Sequence, residues 1–248
     1  MRGALHTPGP LLAAQGLVKR FGANTVLAGV DFTLQPGEAV GIVGPNGAGK
    51  TTLLAALSGS LPVAEGRIHF QGQEVTRLDA AQRCRRGMAR SHQVPRPFSG
   101  MTVFENVLTA ALHGGGFSGQ EASDRAADAL ALCGMLPVAN RPAESLGLLD
   151  RKRLELTRAL ATAPRLLLLD EIGGGLTDGE AQALVHTIQT LRGRGITLVW
   201  IEHIVHVLVQ VVERLVCMDA GQIIADGRPD AVLSNATVVS AYLGGHTS

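Results

Sequence analysis

Eight residues near position 45 have the composition and spacing of a loop that binds phosphate groups. They match the pattern GxxxxGK[ST], and they lie between a predicted strand and a predicted helix, which is the context that this pattern requires. Glycine lets the backbone wrap closely around phosphates, and the N-terminus of the following helix adds partial positive charge. The predicted phosphate-binding residues are Gly44, Pro45, Asn46, Gly47, Ala48, Gly49, Lys50, Thr51 and the adjoining Thr52.

Two side chains at the end of this loop carry specific chemistry. Lys50 supplies a mobile positive charge for the β- and γ-phosphates of a nucleotide, and the Thr51 hydroxyl is placed to bind Mg²⁺. An ordinary glycine-rich turn would explain neither the Lys-Thr pair nor the flanking strand and helix. The sequence therefore predicts a site for a nucleoside triphosphate and Mg²⁺.

A second group of candidate residues follows the apolar run 166–169, which ends in Asp170 and Glu171. A buried strand of this kind delivers carboxylates to the C-terminal edge of a parallel sheet, where the phosphate-binding loop also lies. Asp170 would hold Mg²⁺ through water, and Glu171 would orient and deprotonate the attacking water. An Asp-Glu pair can also be the acidic start of a helix. The nearby phosphate-binding loop favours the catalytic interpretation.

The elements that position these residues alternate between short Leu-rich or β-branched runs and segments of helical period. This alternation predicts an α/β protein with a largely parallel sheet. The Arg- and Ala-rich section 76–140 is predicted to be mostly helical. Predicted strands are 26–34, 38–43, 68–70, 166–170, 197–202, 215–219 and 222–226. Predicted helices are 51–60, 151–162, 179–192 and 204–212.

The composition limits the possible classes of protein. The 248 residues, 46% of them apolar, suffice for one large core. A net charge of +1 gives no global attraction to nucleic acid, so nucleic acid is not an expected partner. Cys84, Cys133 and Cys217 lack metal or disulfide spacing, which favours reduced thiols. Residues 1–10 are expected to be a loose tail rather than a signal peptide, and the longest apolar runs are strand-sized rather than membrane spans.

Several motifs occur together: the P-loop, a lone Gln about forty residues later, an Arg-rich helix, the Leu run before Asp-Glu and a strand-end His. In this combination the sequence resembles the ATP-binding subunits of ABC transporters over nearly the whole chain. Segments 101–108, 151–171 and 241–245 most resemble the branched-chain amino acid importer ATPases. The resemblance implies a P-loop ABC ATPase fold, with a mixed sheet core, flanking helices, a helical subdomain and an N-terminal antiparallel β region. One ABC ATPase domain would span 11–248, with its core at 11–75 and 161–248 and a helical subdomain near 76–160.

The resemblance also implies roles for three further residues. Phe21 matches an aromatic residue that stacks on adenine, although it could be an ordinary core Phe. Gln93 matches the Q-loop residue that contacts Mg²⁺ and the attacking water, although an exposed loop Gln needs no role. His203 matches the histidine that senses the γ-phosphate, although it could be structural. With Glu171, these assignments make Gln93 and His203 candidate catalytic residues.

The signature loop of the family, LSGGQ, is altered in this chain. The matching residues, Leu146-Gly147-Leu148-Leu149-Asp150, differ at four of the five positions. They lack the serine hydroxyl, add bulk and place a negative charge where the partner subunit's ATP would bind. In addition, Ile172 replaces the usual Pro, and Thr177-Asp178 displaces the D-loop Asp. Residues on this chain's own P-loop side are all present.

The resemblance implies an ATPase that works in a dimer, binds ATP and Mg²⁺, and drives import of branched-chain amino acids or related small solutes. Its partners would be membrane permease subunits, a second ABC ATPase subunit and a periplasmic substrate-binding protein. Its location would be cytoplasmic, on the inner face of the membrane. The altered signature favours a heterodimer, but a homodimer that tolerates it stays open, because backbone amides at a helix start also bind phosphate. A soluble ABC switch without a permease and an ATP-binding subunit with little hydrolysis are the alternatives.

Overall fold

The computed structural model describes residues 9–244, which form two β-sheets and their flanking helices. Most of the predicted tail at 1–10 and the last residue of segment 241–245 therefore lie outside the described residues. The strands are β1 (Leu12–Phe21), β2 (Asn24–Leu34), β3 (Ala39–Val43), β4 (Glu65–Phe70), β5 (Gln73–Glu74), β6 (Met88–Arg90), β7 (Leu166–Asp170), β8 (Thr197–Ile201), β9 (Arg214–Asp219) and β10 (Gln222–Gly227). The α-helices are α1 (Lys50–Ser58), α2 (Ala80–Cys84), α3 (Val103–Thr109), α4 (Gly119–Leu132), α5 (Leu148–Ala161), α6 (Asp178–Gly193), α7 (Val205–Leu208), α8 (Pro229–Leu233) and α9 (Ala236–Gly244).

The larger sheet has six strands in the order β10-β9-β3-β8-β7-β6. Its pairs are parallel from β9 through to β6, and β10 alone runs antiparallel to its neighbour β9. Every residue of β3, β7 and β8 is buried, as expected for strands covered on both faces. The predicted α/β class is confirmed, and the C-terminal ends of β3, β7 and β8 meet at one edge.

The smaller sheet is antiparallel, in the order β2-β1-β4-β5, and it confirms the predicted N-terminal β region. Strand β1 was not among the strands that we predicted. Its sequence contains Gly16, which adopts a positive φ of 59°, and the pairing with β2 shifts register nearby. An interior glycine weakens strand signals, so β1 is specified by its pairing with β2 and β4 rather than by its own pattern.

Two other predictions differ from the structure. The predicted helix 204–212 is helical only at Val205–Leu208, and the chain turns after it. The β-branched residues Val209, Val211 and Val212 disfavour further helix, although Val211 and Val212 are buried. The section 76–140 is mostly helical, with a π-helix at Ala110–Gly115, but it also contains β6, which pairs with β7 in the large sheet.

The core has two parts, one on each face of the large sheet. One part joins that sheet to α3, α4, α5 and α6, and the other packs α1 between the two sheets. The helix that begins at the phosphate-binding loop is therefore enclosed on its apolar sides. No helix within residues 9–244 combines the length and hydrophobicity needed to cross a bilayer.

Arg83 binds the C-terminal end of α1 through hydrogen bonds. Its buried guanidinium donates to the carbonyl oxygens of Ala56 (2.8 Å), Leu57 (2.6 Å), Leu78 (3.0 Å) and Thr76 (3.0 Å). The carbonyls at a helix end lack intrahelical donors, so a cation is favourable there. Burial lowers the pKa of Arg83 to about 10, which still leaves it charged at neutral pH.

We expect Arg83→Met to lower the free energy of unfolding by roughly 3 kcal/mol, because buried carbonyls lose their donor. Chemical denaturation measures this loss. The matched control is Arg85→Met, at an exposed position two residues later, which should change stability by less than about 0.5 kcal/mol. Equal effects in the two variants would show that the hydrogen bonds of Arg83 do not stabilise the helix end.

Candidate functional site

The predicted phosphate-binding loop leads from β3 into α1 and is tightly enclosed at two of its glycines. Gly44 has a φ of 143° and Gly49 a φ of 98°, a region that favours glycine. A Cβ at Gly44 would lie 2.0 Å from the Met218 carbonyl oxygen, and one at Gly49 would lie 2.7 Å from that of Val26. The loop is thus held between β9 and β2, and glycine is required there on steric grounds.

Lys50 lies across this loop. Its Nζ donates to the carbonyl oxygens of Gly44 (2.7 Å) and Pro45 (2.9 Å), and the side chain is almost fully buried. Burial lowers the pKa of Lys50, and the negative charge of Glu171 partly opposes that change. An ammonium group with so little water around it interacts strongly with an incoming anion.

A cavity of about 190 Å³ opens over the loop. Its lining comprises Val26, residues 46–52 and Glu171. The first turn of α1 faces this space, and Gly49 caps the helix without a side-chain hydrogen bond, so the amides at the helix start remain suited to an anion. The geometry fits a phosphate chain.

Asp170 and Thr51 place two oxygen atoms beside the cavity. The Thr51 hydroxyl donates to Oδ1 of Asp170 at 3.3 Å, while Nη2 of Arg90 contacts Oδ2 at 2.7 Å. Hydroxyl and carboxylate oxygens are ligands that suit Mg²⁺, which usually keeps several waters and phosphate oxygens. Among residues 9–244 no group of three or more His, Cys, Asp or Glu side chains is placed to hold a metal.

Glu171 is held by the two other predicted catalytic residues. Gln93 Nε2 donates to Oε2 of Glu171 at 2.5 Å, and His203 Nε2 lies 2.8 Å from Oε1. Three residues separated by up to 110 positions in the sequence therefore converge on one carboxylate. Glu171 also adopts a φ of 48°, which is uncommon for a residue other than glycine and is typical of functional sites.

Phe21 does not line the cavity. It lies at the end of β1, 51% exposed, with the Lys19 ammonium 5.0 Å from its ring centre. Its role in stacking on adenine stays a prediction. Two residues of the site were missed: Val26, which no sequence signal distinguishes from other strand residues, and Arg90, which ends a strand of three residues that is too short to show a period.

The altered signature residues lie at the start of α5. Gly147 caps this helix without a side-chain hydrogen bond, Leu148 is 47% exposed, and Asp150 pairs with Arg153 at 3.5 Å. In the D-loop region, the Thr177 side chain and that of Glu180 cap α6 reciprocally. Thr177-Asp178 therefore forms a helix start.

Comparison with known proteins identifies the family of the chain. The model of the family described as "ABC transporter" matches residues 27–173, more than half of the chain. The chain belongs to the ABC transporter ATP-binding family. As such it is an ATP-hydrolysing subunit. A second model, described as "Branched-chain amino acid ATP-binding cassette transporter", matches residues 222–247 of this ABC ATPase.

Curated relatives align with the ABC ATPase over nearly its full length. It is 38% identical to the high-affinity branched-chain amino acid transport ATP-binding protein LivG of Escherichia coli (strain K12), covering 95% of this chain and 98% of LivG. It is 34% identical to the protein BraF of Pseudomonas aeruginosa, with the same coverage.

Solved structures of ATP-binding cassettes resemble the fold of this chain. A nucleotide-free ATP-binding cassette from an ABC transporter superimposes with a TM-score of 0.85 at 31% identity, covering 94% of this chain and 99% of that chain. The ADP conformation of an ATP-binding cassette also gives 0.85 at 31% identity, covering 95% and 99%.

The steric requirement at Gly44 gives a test of the loop. We expect Gly44→Ala to lower the free energy of unfolding by at least about 2 kcal/mol more than Gly47→Ala. Both glycines have positive φ, but a Cβ at Gly47 would meet nothing within 4 Å, so the comparison isolates the clash with Met218. Urea denaturation measures both losses, and equal values would contradict the enclosed loop.

Proposed function

We propose that this ABC ATPase binds Mg-ATP at the P-loop, hydrolyses it with Glu171 as the general base, and couples the cycle to import by a membrane permease. The observation that carries the proposal is the convergence of Gln93 and His203 on Glu171 beside the Lys50 cavity. The transported solutes would be branched-chain amino acids or related small molecules.

In this mechanism Lys50 and the loop amides bind the phosphates. The carbonyl oxygens of Gly44 and Pro45 hold the Lys50 ammonium in place within the loop, and phosphate oxygens would replace them when a nucleotide binds. Thr51 Oγ1 and Asp170 Oδ1 would hold Mg²⁺, directly or through water. A bound Mg²⁺ would neutralise charge on the β- and γ-phosphates.

Glu171 accepts the proton of the attacking water. Gln93 and His203 restrict the carboxylate to one orientation, and such positioning is a large part of phosphoryl-transfer catalysis. Because Gln93 uses Nε2 for its bond to Glu171, its Oε1 remains as an acceptor for the Mg²⁺ shell or the water. His203 can turn from Glu171 to the γ-phosphate and thereby report its presence.

The surface after Gln93 supports contact with a permease. Val94 is 63% exposed, Phe98 43% and Met101 37%, so three exposed apolar side chains follow Gln93 closely in sequence. Arg158 of α5 stacks on Phe98 at 4.5 Å and donates to the Arg96 carbonyl at 2.9 Å. Movement of the segment 94–101 would therefore reach both Gln93 and α5.

The names of the relatives support the substrate class. LivG and BraF are described as high-affinity branched-chain amino acid transport ATP-binding proteins, and the family match at residues 222–247 supports the same substrate class. Selection of the solute would rest with the permease and with a periplasmic substrate-binding protein. The ATPase would lie in the cytoplasm, on the inner face of the membrane.

The altered signature supports a heterodimer. Residues 146–150 place two leucines and Asp150 at the start of α5, where the family's signature closes over the partner's ATP. This chain would supply an intact P-loop site and receive an intact signature from a different ATPase subunit. One strong and one weak ATP site would result.

The general-base assignment predicts that Glu171→Gln lowers steady-state ATP turnover by ~10²- to 10⁴-fold, measured by phosphate release. Binding of ATP should be retained, because Lys50 and the loop are unchanged. The control is Glu121→Gln on α4, an exposed acid, which should turn over ATP like the wild type. Retained turnover in Glu171→Gln would remove Glu171 from this role.

The heterodimer predicts slow turnover by the purified chain alone, at concentrations high enough to dimerise. The double variant Leu148→Gly plus Leu149→Gly should be faster, because it removes bulk where the signature backbone approaches phosphate. The rate of ATP hydrolysis measures this difference. Leu136→Gly, at an exposed leucine outside the signature, serves as the control. Rapid turnover of the wild type, unchanged by the glycines, would favour a homodimer.

A further inference from the structure

The two carboxylate oxygens of Asp170 have different partners. Oδ1 accepts from the Thr51 hydroxyl at 3.3 Å, on the side of the proposed Mg²⁺ site. Oδ2 forms a salt bridge with Nη2 of Arg90 at 2.7 Å. Both side chains are largely buried, with exposed fractions of 3% for Asp170 and 11% for Arg90. The pair is therefore poorly screened by water.

Arg90 is placed for this contact by its strand. It is the last residue of β6 and lies opposite Leu168 of β7, two residues before Asp170. Its Nη1 reaches the Ser58 hydroxyl at a long 3.5 Å, and its Nε is buried without a hydrogen-bond partner among the described residues. Asp170 is thus the main acceptor of this guanidinium, and a buried cation is costly unless it stays paired.

The charge balance at this edge depends on Arg90. Asp170 and Glu171 are adjacent carboxylates, and the Lys50 ammonium interacts electrostatically with both. Arg90 is the cation in direct contact with Asp170.

We infer that Arg90 is a positioning residue that turns Asp170 Oδ1 towards the metal and neutralises the carboxylate until nucleotide arrives. This inference rests on the proposed Mg-ATP function. With Arg90 in place, the C-terminal edge of the large sheet carries too little negative charge to hold a divalent cation. The triphosphate supplies that charge, so metal and ATP bind together rather than in sequence.

The test measures divalent-cation binding to the nucleotide-free chain, with Mn²⁺ as the probe and electron paramagnetic resonance as the readout. Arg90→Gln keeps a hydrogen-bond donor but loses the charge, and it should bind Mn²⁺ at least about tenfold more tightly than the wild type. Arg90→Lys keeps the charge and should stay within about threefold of the wild type. Unchanged or weaker Mn²⁺ binding in Arg90→Gln would overturn the inference, as would equal tightening in both variants.

A second variant leaves Arg90 in place, in case Arg90→Gln fails to fold. Ser58→Asp gives the guanidinium a competing carboxylate near Nη1, which should release Asp170 and also tighten Mn²⁺ binding. Ser58→Asn is the neutral control of similar shape and should bind Mn²⁺ like the wild type. Unchanged affinity in a folded Ser58→Asp variant would count against the inference.

Binding of a fluorescent ATP analogue in the presence of Mg²⁺ separates this inference from the proposed function. The wild type and Arg90→Gln should both bind the analogue with Mg²⁺, because Lys50 and the loop, which hold the phosphates, are unchanged. If the wild type does not bind the analogue, the proposed function fails. If the wild type and Arg90→Gln both bind the analogue but the Mn²⁺ affinity does not depend on the charge at position 90, only the proposed role of Arg90 is wrong. If the role of Arg90 is purely structural, Arg90→Gln should lower the melting temperature and leave the Mn²⁺ affinity unchanged.

Discussion

The parallel alignment of β6, β7, β8 and β3 is the constraint on which the site depends. Because adjacent parallel strands end at one edge, the residues that follow each strand are brought together from distant parts of the chain. The P-loop follows β3, His203 follows β8, Asp170 ends β7 and Arg90 ends β6. Each chemical group thus comes from a different strand, and strand register fixes their spacing before any side-chain contact forms.

Glu171 illustrates how this rigid edge supports a strained residue. Its positive φ costs on the order of 1–3 kcal/mol for a residue with a side chain. The Glu171 amide donates to the Ile201 carbonyl at 2.9 Å, and the buried Lys152 ammonium lies 3.5 Å from the Glu171 carbonyl oxygen. These backbone contacts hold the residue in place. The Glu171 side chain can therefore point away from the strand and contact Gln93 and His203.

The sequence predicted those parts of the site whose chemistry is local. The P-loop and the Asp170-Glu171 pair are contiguous motifs, and their strands have strong apolar patterns. The pairing of Arg90 with Asp170 was not predictable, because β6 has three residues and no period, and its place in the sheet follows from tertiary packing. Strand β1 was missed because its pairing with β2 and β4, rather than its own sequence pattern, specifies it. Helix α7 is shorter than predicted because β-branched residues disfavour its continuation.

Helix α5 connects the parts of the molecule that must act together. Its N-terminus carries the altered signature residues, and its Lys152 reaches the backbone of Glu171. One to two turns later, Glu155 accepts from the Arg96 amide at 2.7 Å, and Arg158 donates to the carbonyl of the same residue. A packed helix moves as a unit rather than bending continuously. A shift of the segment after Gln93 would therefore carry the signature residues with it. One rigid element would thus join the proposed permease-facing surface, the proposed catalytic carboxylate and the proposed dimer interface.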